Sequence, residues 1–246
     1  MQHTIEFYGD YACFTRPETK VERYSYPCPT PSAARNMFDA IYWHPGMYWQ
    51  IDKIELLNKV AYTTIRRNEV KGKISVTNVK VWMNNNKKIK PFYADATGGD
   101  TGRTQRQTIA IVNPRYRITG QAILKKEYNG DKEQCIKDYA KCNAIFKRRA
   151  IKGSPYRQPF FGCKEFVAEY DYIEDFDNIQ QPVDSTIKVG TMLYDVFDLS
   201  KNTNNHSDCY VTFFNAMIEN GVLIVPPFNS TKVIKPELEQ EHATCN

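Results

Sequence analysis

Tyrosine, tryptophan and histidine stand side by side at residues 42–44, directly before Pro45. Proline disfavours helical backbone in the residue before it, so the helix predicted upstream ends here and presents Tyr42 and His44 together. Lys141, on a second predicted helix, adds a cation. RNA can be cut without metal when its 2′-OH attacks the adjacent phosphate, and Tyr, His and Lys can supply the proton transfers and the charge stabilisation. The alternative, which the pattern alone favours, is that these aromatic residues only pack at the edge of the core.

Motifs of other common chemistries are not found in the sequence. It has no Walker phosphate-binding loop, no dinucleotide-binding glycine pattern, no paired-histidine metal helix and no nucleophile elbow. Seven scattered cysteines contain no Cys-x-x-Cys pair, so we expect reduced thiols and neither a metal site nor a cofactor. No apolar run reaches the roughly 18 residues that span a bilayer, and the N-terminus lacks a secretion-signal pattern. We therefore expect a soluble, cytoplasmic protein without membrane contact.

Positive charge is concentrated in the middle of the chain. Residues 60–160 contain 22 Lys and Arg against 7 Asp and Glu, a balance of +15, whereas the whole chain carries +5. Clustered cations are typical of proteins that neutralise the phosphates of nucleic acids. The alternative is a set of solvated helix faces, which would account for any single pair such as Lys87 and Lys88. The size of the segregation favours a nucleic-acid ligand.

The N-terminal half predicts strands and one helix. Strands are predicted from about Thr4 to Phe14 and from Met47 to Leu57. Ser32 is the predicted N-cap of the helix, and its apolar stripe has the spacing of a buried helical face, at Ala34, Met37, Phe38 and Ile41. Between residues 66 and 106, glycine clusters and an asparagine run interrupt every candidate element. This segment predicts long loops or an extended basic hairpin.

The second half predicts one long helix followed by short strands. Residues 115–128 alternate apolar and polar side chains, which predicts a half-exposed strand with a basic outer face. A helix is predicted from Asp131 to Gly153, with a capping box at its start and glycine at its end. Beyond Gly162 the composition becomes acidic. There we predict strands at 166–172, 191–197 and 222–225, a helix at 210–219, and a frayed tail from residue 235.

Eight sequence segments together resemble one protein family. They are GDYACFTRPETKVER at 9–23, SY at 25–26, PSAAR at 31–35, AIYWHP at 40–45, RRNEV at 66–70, IFKRR at 145–149, GCKEF at 162–166 and MIENG at 217–221. In this order and spacing, the chain resembles the CRISPR-associated Cas family five, in its Dvulg or type I-C subtype, over nearly its whole length.

The resemblance implies an α+β fold of two parts. The first is a modified ferredoxin-like domain, similar in topology to the RNA-recognition motif, with a protruding basic hairpin. The second is a small antiparallel β-sheet domain. In this chain we expect them at residues 1–160, with the basic insertion at about 60–110, and at residues 161–246, where the tail is frayed.

The resemblance also implies an activity. Members of this subtype cut CRISPR repeat RNA at the base of its hairpin without metal. If the 2′-OH is the nucleophile, the cut leaves a 2′,3′-cyclic phosphate. They keep the 5′ handle as a subunit of the type I-C interference complex. The catalytic tyrosine of the family corresponds to Tyr42, and its Lys-His pair corresponds to Lys141 and Cys142, so this sequence departs from the family at the histidine. A thiol is a poorer proton carrier than an imidazole at neutral pH. Either Cys142 or His44 then takes the remaining proton transfer.

Two interpretations of the function remain open. The first is a metal-independent endoribonuclease that cuts pre-crRNA and keeps the product, and the second is a non-catalytic scaffold subunit that binds the crRNA handle. Either one implies as partners the Cas family seven backbone subunit, the Cas family eight large subunit and, through the complex, target DNA. The candidates for phosphate contacts are Arg66, Arg67, Lys71, Lys73, Arg103, Arg106, Arg148 and Arg149.

Overall fold

The computed structural model of the chain describes residues 1–19, 21–70, 72, 75–84, 102–124, 132–177, 179–199 and 210–236, with backbone only for 132–135. These residues form a mixed α+β fold. Its strands are β1 (Gln2–Tyr8), β2 (Tyr11–Ala12), β3 (Arg23–Tyr24), β4 (Met47–Leu56), β5 (Tyr62–Val70), β6 (Arg103–Val112), β7 (Arg115–Leu124), β8 (Glu169–Tyr172), β9 (Ile187–Asp195), β10 (Thr212–Glu219), β11 (Val222–Ile224) and β12 (Val233–Ile234). Its α-helices are α1 (Pro31–Ile41), α2 (Val76–Asn84) and α3 (Lys132–Lys152).

The larger of two sheets runs in the order β12-β10-β11-β4-β7-β1-β8, with β9 paired to β10. β7 lies inside this sheet and pairs antiparallel with both β1 and β4, so Ile118 stands opposite Ile5 on one side and Ile54 on the other. α1 packs on β4 and β9, α3 packs on β7 and β8, and the two helices contact each other. The helices therefore cover the same face of the sheet.

Three aromatic rings join the helices to the sheet. Phe38 of α1 stacks on Phe146 of α3, with ring centroids 5.4 Å apart and an interplanar angle of 14°. Trp49 of β4 lies 4.2 Å from Phe146 and 5.4 Å from Phe38. All three side chains are buried. Such ring pairs contribute roughly 0.5–1.5 kcal/mol each beyond the burial of their area, so this cluster holds α1 and α3 in a defined relation.

α1 begins earlier than the sequence predicted. Thr30, and not Ser32, is its N-cap, since the Thr30 side chain accepts a hydrogen bond of 3.2 Å from the backbone N–H of Ala33. Pro31 then occupies the first turn, where its missing N–H leaves no helical hydrogen bond unmade. The helix ends at Ile41 with Tyr42 as its C-cap, close to the end that the following Pro45 predicted.

The second sheet contains β2, β6 and β3, with β5 paired to β6. β5 and β6 pair antiparallel over their whole length, from Tyr62 opposite Ile111 to Val70 opposite Arg103. The described ends of the basic segment thus pair as in an extended hairpin, which the sequence predicted as one alternative. Residues 71, 73, 74 and 85–101 of this segment lie outside the described residues. The sequence did not predict α2, which lies between these two strands.

The prediction that β7 is half-exposed with a basic outer face is wrong. β7 has neighbours on both edges, and Arg117 is only 1% exposed. Its guanidinium lies 3.6 Å from a carboxylate oxygen of Glu6 and 3.8 Å from one of Glu55, and it donates a hydrogen bond of 2.7 Å to the backbone oxygen of Gln180. The arginine looked solvated in the sequence because its two carboxylate partners are distant along the chain.

The helix predicted at residues 210–219 is also wrong, because the chain forms β10 there. Every second residue of β10 is buried, which is the period of a strand and not of a helix. Asn220 and Gly221 both have positive φ, of 49° and 74°, and connect β10 to β11 in a two-residue turn. Asparagine followed by glycine is typical of such hairpins, so the local signal was present and was assigned to a helix end.

The remaining elements lie close to their predicted positions. The opening strand divides into β1 and β2 around Gly9, whereas β4, β8, β9 and β11 overlap the strands predicted for them. α3 ends at Lys152, and Gly153 follows with a φ of 61°, which confirms the predicted glycine end. The capping residue Asp131 and the tail from residue 237 lie outside the described residues. No described helix is long and apolar enough to cross a membrane.

Strands from beyond residue 160 pair with the N-terminal strands at both edges of the group β4-β7-β1. β8 pairs with β1, and β11 pairs with β4, with Leu223 opposite Ile54. Residues 1–160 and 161–246 thus share one hydrogen-bonded sheet. Their division into two domains stays a prediction.

Gly162 and Gly190 form a matched pair for testing the fold. Both have positive φ, of 77° and 82°. A Cβ on Gly162 would lie 2.1 Å from the backbone oxygen of Cys13, whereas one on Gly190 would meet nothing within 4 Å. Alanine at either site carries the strain of left-handed backbone, about 1–2 kcal/mol. Only Gly162→Ala also forces two backbone segments apart.

We expect Gly162→Ala to lower the free energy of unfolding by about 1–3 kcal/mol more than Gly190→Ala does. Urea denaturation followed by circular dichroism measures both changes. Equal losses in the two variants would contradict the close approach of Gly162 to Cys13.

Candidate functional site

The hydroxyl of Tyr42 lies 3.7 Å from the Sγ of Cys142. Tyr42 follows α1 directly and has extended backbone, with φ −153° and ψ 122°, and Cys142 is a buried residue of α3. Tyr42 lies one helical turn after Phe38, and Cys142 lies one turn before Phe146. The stacked rings of Phe38 and Phe146 therefore bring these two groups together. A hydroxyl and a thiol at this separation can exchange a proton.

Arg149 places a positive charge beside Tyr42. Its guanidinium carbon is 5.5 Å from the centroid of the Tyr42 ring, and its Nη1 donates a hydrogen bond of 3.4 Å to the backbone oxygen of Ile41. The sequence predicted Arg149 as a phosphate contact and Tyr42 as a catalytic residue, without relating them. The structure places them together, with the Arg149 cation against the Tyr42 ring.

The other two predicted catalytic residues flank this pair in the sequence. Lys141 is an exposed residue of α3, directly before Cys142. His44 is half-buried, and its Nδ1 accepts a hydrogen bond of 3.2 Å from the backbone N–H of Gly46. The proton of the neutral imidazole is then on Nε2. Of the four predicted catalytic residues, the structure brings Tyr42 and Cys142 into direct contact.

The arginines of the β5–β6 hairpin divide between its two faces. Arg66 and Arg103 are exposed on one face, whereas Arg67 and Arg106 lie half-buried and opposite each other on the other face. Arg106 forms an ion pair with Glu69 at 3.1 Å. The repulsion between the two facing arginines is thereby reduced. Arg66 and Arg103 present their charges to solvent.

Arg67 has a structural partner of its own. It forms an ion pair with Glu165, and its guanidinium carbon lies 5.0 Å from the centroid of the Phe166 ring. These contacts hold the hairpin against the loop at residues 162–166. Of the remaining phosphate candidates, Arg148 is exposed on α3, and Lys71 and Lys73 lie outside the described residues.

A buried histidine that the sequence did not identify supports α3 next to Cys142. His3 is fully buried, its Nε2 lies 2.8 Å from Oδ1 of Asn143, and its Nδ1 lies 2.9 Å from the hydroxyl of Tyr172. Asn143 donates through its Nδ2 to the backbone oxygen of Tyr139, so its Oδ1 is the acceptor for the Nε2–H of His3. No local pattern signals this network, because its members are far apart in the chain.

The pKa of His3 is lowered, chiefly by burial. The hydrogen bond with Asn143 acts in the opposite direction, and the positive charges of the N-terminus and Lys147 lower the pKa further. His3 is therefore neutral at pH 7, where it donates one hydrogen bond and accepts the other.

No group of three or more His, Cys, Asp or Glu side chains that could hold a metal ion occurs in the part of the chain that the structure describes. Four of the cysteines, Cys13, Cys28, Cys142 and Cys163, are free thiols.

The family model of the CRISPR-associated proteins designated Cas_Cas5d matches residues 4–226 of this chain. Two relatives are similar to this chain over nearly its whole length. One, from Mannheimia succiniciproducens, is 37% identical over 233 residues, which is 93% of this chain and 96% of the relative. The other, from Thermus thermophilus, is 28% identical over 251 residues, with 97% and 96% covered. Both are named CRISPR pre-crRNA endoribonuclease Cas5d.

A solved structure has the same overall fold. The crystal structure of a CRISPR-associated protein superposes with a TM-score of 0.61 at 20% identity and covers 95% of this chain and 96% of that chain.

The lowered pKa of His3 makes stability depend on pH with a defined sign. Between the folded pKa and the unfolded value of about 6.5, the unfolded chain binds more protons than the folded chain does. We therefore expect the free energy of unfolding to decrease as the pH falls through about 6.5. Urea denaturation at several pH values between 7.5 and 5.5 measures this decrease.

In His3→Gln the part of the pH dependence that comes from His3 is absent, so the decrease is smaller. His44→Gln is the control, because it removes a histidine outside this buried network. Equal pH dependence in wild type and His3→Gln would contradict the buried, neutral imidazole.

Proposed function

This chain belongs to the Cas5d family of CRISPR-associated proteins, and from that membership we propose that it is an endoribonuclease that cuts CRISPR precursor RNA. The relatives that carry this name are similar to it over nearly their full length. The single observation on which the proposal depends is the contact between the Tyr42 hydroxyl and the Cys142 thiol, with the Arg149 guanidinium beside the Tyr42 ring.

We also propose that residues 1–160 form a modified ferredoxin-like domain, which is completed by β8 from the second domain, residues 161–246. In support, the four strands β4-β7-β1-β8 lie in that order and pair antiparallel. α1 connects β1 to β4, and α3 connects β7 to β8. This β-α-β-β-α-β succession is typical of ferredoxin-like folds.

The proposed reaction uses the RNA's own 2′-OH as nucleophile. The O2′ attacks the adjacent phosphorus, the bond from phosphorus to the 5′ oxygen breaks, and a 2′,3′-cyclic phosphate and a free 5′-OH result. Tyr42 orients the 2′-OH or takes its proton, and Lys141 stabilises the negative charge of the phosphorane. Arg149, beside the Tyr42 ring, attracts the same phosphate. No metal takes part in these steps.

The remaining proton transfer is to the leaving 5′ oxygen, and two residues are candidates for it. Cys142 is only 4% exposed, so it exchanges protons with RNA through the Tyr42 hydroxyl that it contacts. His44 lies two residues beyond Tyr42 and would use its Nε2, since Nδ1 accepts from Gly46. Cys142 stands where the family motif predicts histidine.

We propose that the protein works in the cytoplasm and holds its product in the type I-C complex. There its partners are the crRNA, the Cas family seven backbone subunit, the Cas family eight large subunit and, through the complex, target DNA. The departure at Cys142 also supports a second candidate function, that of a non-catalytic subunit that binds the crRNA handle.

We expect Tyr42→Phe and Lys141→Ala to slow single-turnover cleavage of repeat RNA by about 10²- to 10⁴-fold, because each variant removes a group that acts on the reacting atoms. RNA affinity should change little. Tyr210→Phe, which removes a tyrosine hydroxyl elsewhere, is the matched control. Cleavage should continue in EDTA and stop when the ribose before the cut lacks its 2′-OH.

Two further variants identify the second proton carrier. If it is Cys142, Cys142→Ala cuts as slowly as Tyr42→Phe does, and Cys142→His cuts faster near pH 7 than wild type. If it is His44, His44→Ala loses cleavage while Cys142→Ala retains it. Tight repeat binding without cleavage, in both wild type and Cys142→His, would refute the enzyme and leave the scaffold.

The hairpin arginines should differ in their contribution to RNA binding. Each neutralised phosphate contributes about −0.7 to −0.9 to the slope of log affinity against log salt concentration. Arg66→Ala should flatten the slope by about that amount, because Arg66 is exposed. Arg67→Ala should flatten it less, because Glu165 already pairs with Arg67. Filter binding over a salt series measures the slope for both variants. A larger change of slope in Arg67→Ala than in Arg66→Ala would contradict the assignment of Arg66 to RNA and Arg67 to Glu165.

A further inference from the structure

A cavity of about 610 Å³ lies between α1, residues 156–162 and the end of β9. Trp43, Tyr156 and Arg157 line it on one side. Arg35 and Asp39 of α1 are also part of its lining. The proposed reaction assigns no role to this cavity, which is large enough for one nucleobase.

The cavity begins one residue away from the proposed catalytic tyrosine. Successive side chains of extended backbone point in opposite directions. Because Tyr42 is extended, its hydroxyl contacts Cys142 on α3 while Trp43 lines the cavity. The segment on the far side is tied to the same helix end, since the backbone N–H of Tyr156 donates to the oxygen of Ile41 at 3.2 Å.

Two large aromatic side chains of the cavity are exposed to solvent. Trp43 is 53% exposed and Tyr156 is 73% exposed. Beside them, Nη2 of Arg157 donates a hydrogen bond of 2.5 Å to Oδ1 of Asn36, which orients the guanidinium. Proteins recognise single-stranded RNA by stacking its unpaired bases on aromatic rings and on arginine planes. Both kinds of surface are present here.

The polar part of the lining favours a base over an apolar side chain of a protein partner. Arg35 donates to Asp39 at 2.9 Å and to the two carboxylate oxygens of Asp195 at 2.9 and 3.1 Å. A carboxylate can accept more hydrogen bonds than the one that Arg35 makes to Asp39. An apolar group would cover these charges without a hydrogen bond, whereas the amino group of a base can donate one.

We propose that this cavity binds the unpaired nucleobase next to the scissile phosphate, stacked on Trp43 and Tyr156. The base carries an exocyclic amino group, which donates to Asp39. Uracil has no amino group, and its N3–H lies between two carbonyl oxygens that the carboxylate repels, so the cavity discriminates against it. Trp43 is then a positioning residue, since it holds the base while Tyr42 acts on the adjoining ribose. This proposal rests on the proposed function and adds a specificity site to it.

The test measures binding apart from cleavage. A repeat RNA whose ribose before the cut is 2′-deoxy is titrated by fluorescence anisotropy, with an abasic site moved one position at a time past the cut. For wild type, we expect one abasic position to weaken binding by about 5- to 100-fold. Trp43→Ala should weaken binding of the intact RNA similarly and be insensitive to that position. Trp43→Phe should restore the sensitivity.

Two matched comparisons sharpen this test. Phe176→Ala removes an aromatic side chain that is 55% exposed outside the cavity lining and should leave the abasic profile unchanged. Uracil, or a purine without its amino group, at the sensitive position should weaken binding to wild type by about tenfold, and binding to Trp43→Ala much less.

The outcomes distinguish failure of the cavity proposal from failure of the proposed function. If wild type cuts the normal RNA but no abasic position weakens its binding more than it weakens binding to Trp43→Ala, the cavity proposal is overturned and the proposed function stands. If one abasic position has this Trp43-dependent effect but wild type does not cut RNA, base binding in the cavity is supported and the endoribonuclease activity is refuted. If Trp43→Ala binds RNA normally but no longer associates with another subunit, the cavity binds protein and the proposal is wrong. Failure of wild type to bind repeat RNA would refute both.

Discussion

The contact of Phe38, Trp49 and Phe146 is the interaction on which the rest of the site depends. These three buried rings are the points where α1, β4 and α3 meet, and the separation of the two helices is determined by their stacking. Tyr42 and Cys142 each lie one helical turn from a ring of this cluster. A hydroxyl and a thiol that are 100 residues apart in the chain thus come within 3.7 Å of each other. A change in ring packing would separate them.

The positive charge of the chain serves structure as well as binding. Arg117, inside the sheet, is compensated by Glu6 and Glu55, and Arg67 is compensated by Glu165. At Arg117, where both partners are buried, removing one partner would cost about 3–5 kcal/mol, since the other charge remains buried. The balance of +15 in residues 60–160 therefore overstates the charge that is available to RNA.

Tyr42 and Trp43 are consecutive residues with different roles in the proposed mechanism. Tyr42 faces α3 and the proton carriers, whereas Trp43 faces the cavity and an unpaired base. The extended backbone at the end of α1 makes this division possible, because a helix would place consecutive side chains only about 100° apart. Pro45 contributes to that ending. Chemistry and base selection are thus proposed at adjacent residues.

The sequence by itself determined the elements whose signals are local, and with them the family. Met47–Leu57 was predicted as a strand from its composition, and α3 and its glycine end were predicted from caps and spacing. Only the tertiary structure decided which distant residues meet. Arg117 is buried because carboxylates from two other strands reach it. The support of Cys142 by His3 through Asn143, and the cavity beside Trp43, arise in the same way. Hydrogen bonds and packing between segments far apart in the chain leave no periodic trace in either segment, so no local pattern can predict them.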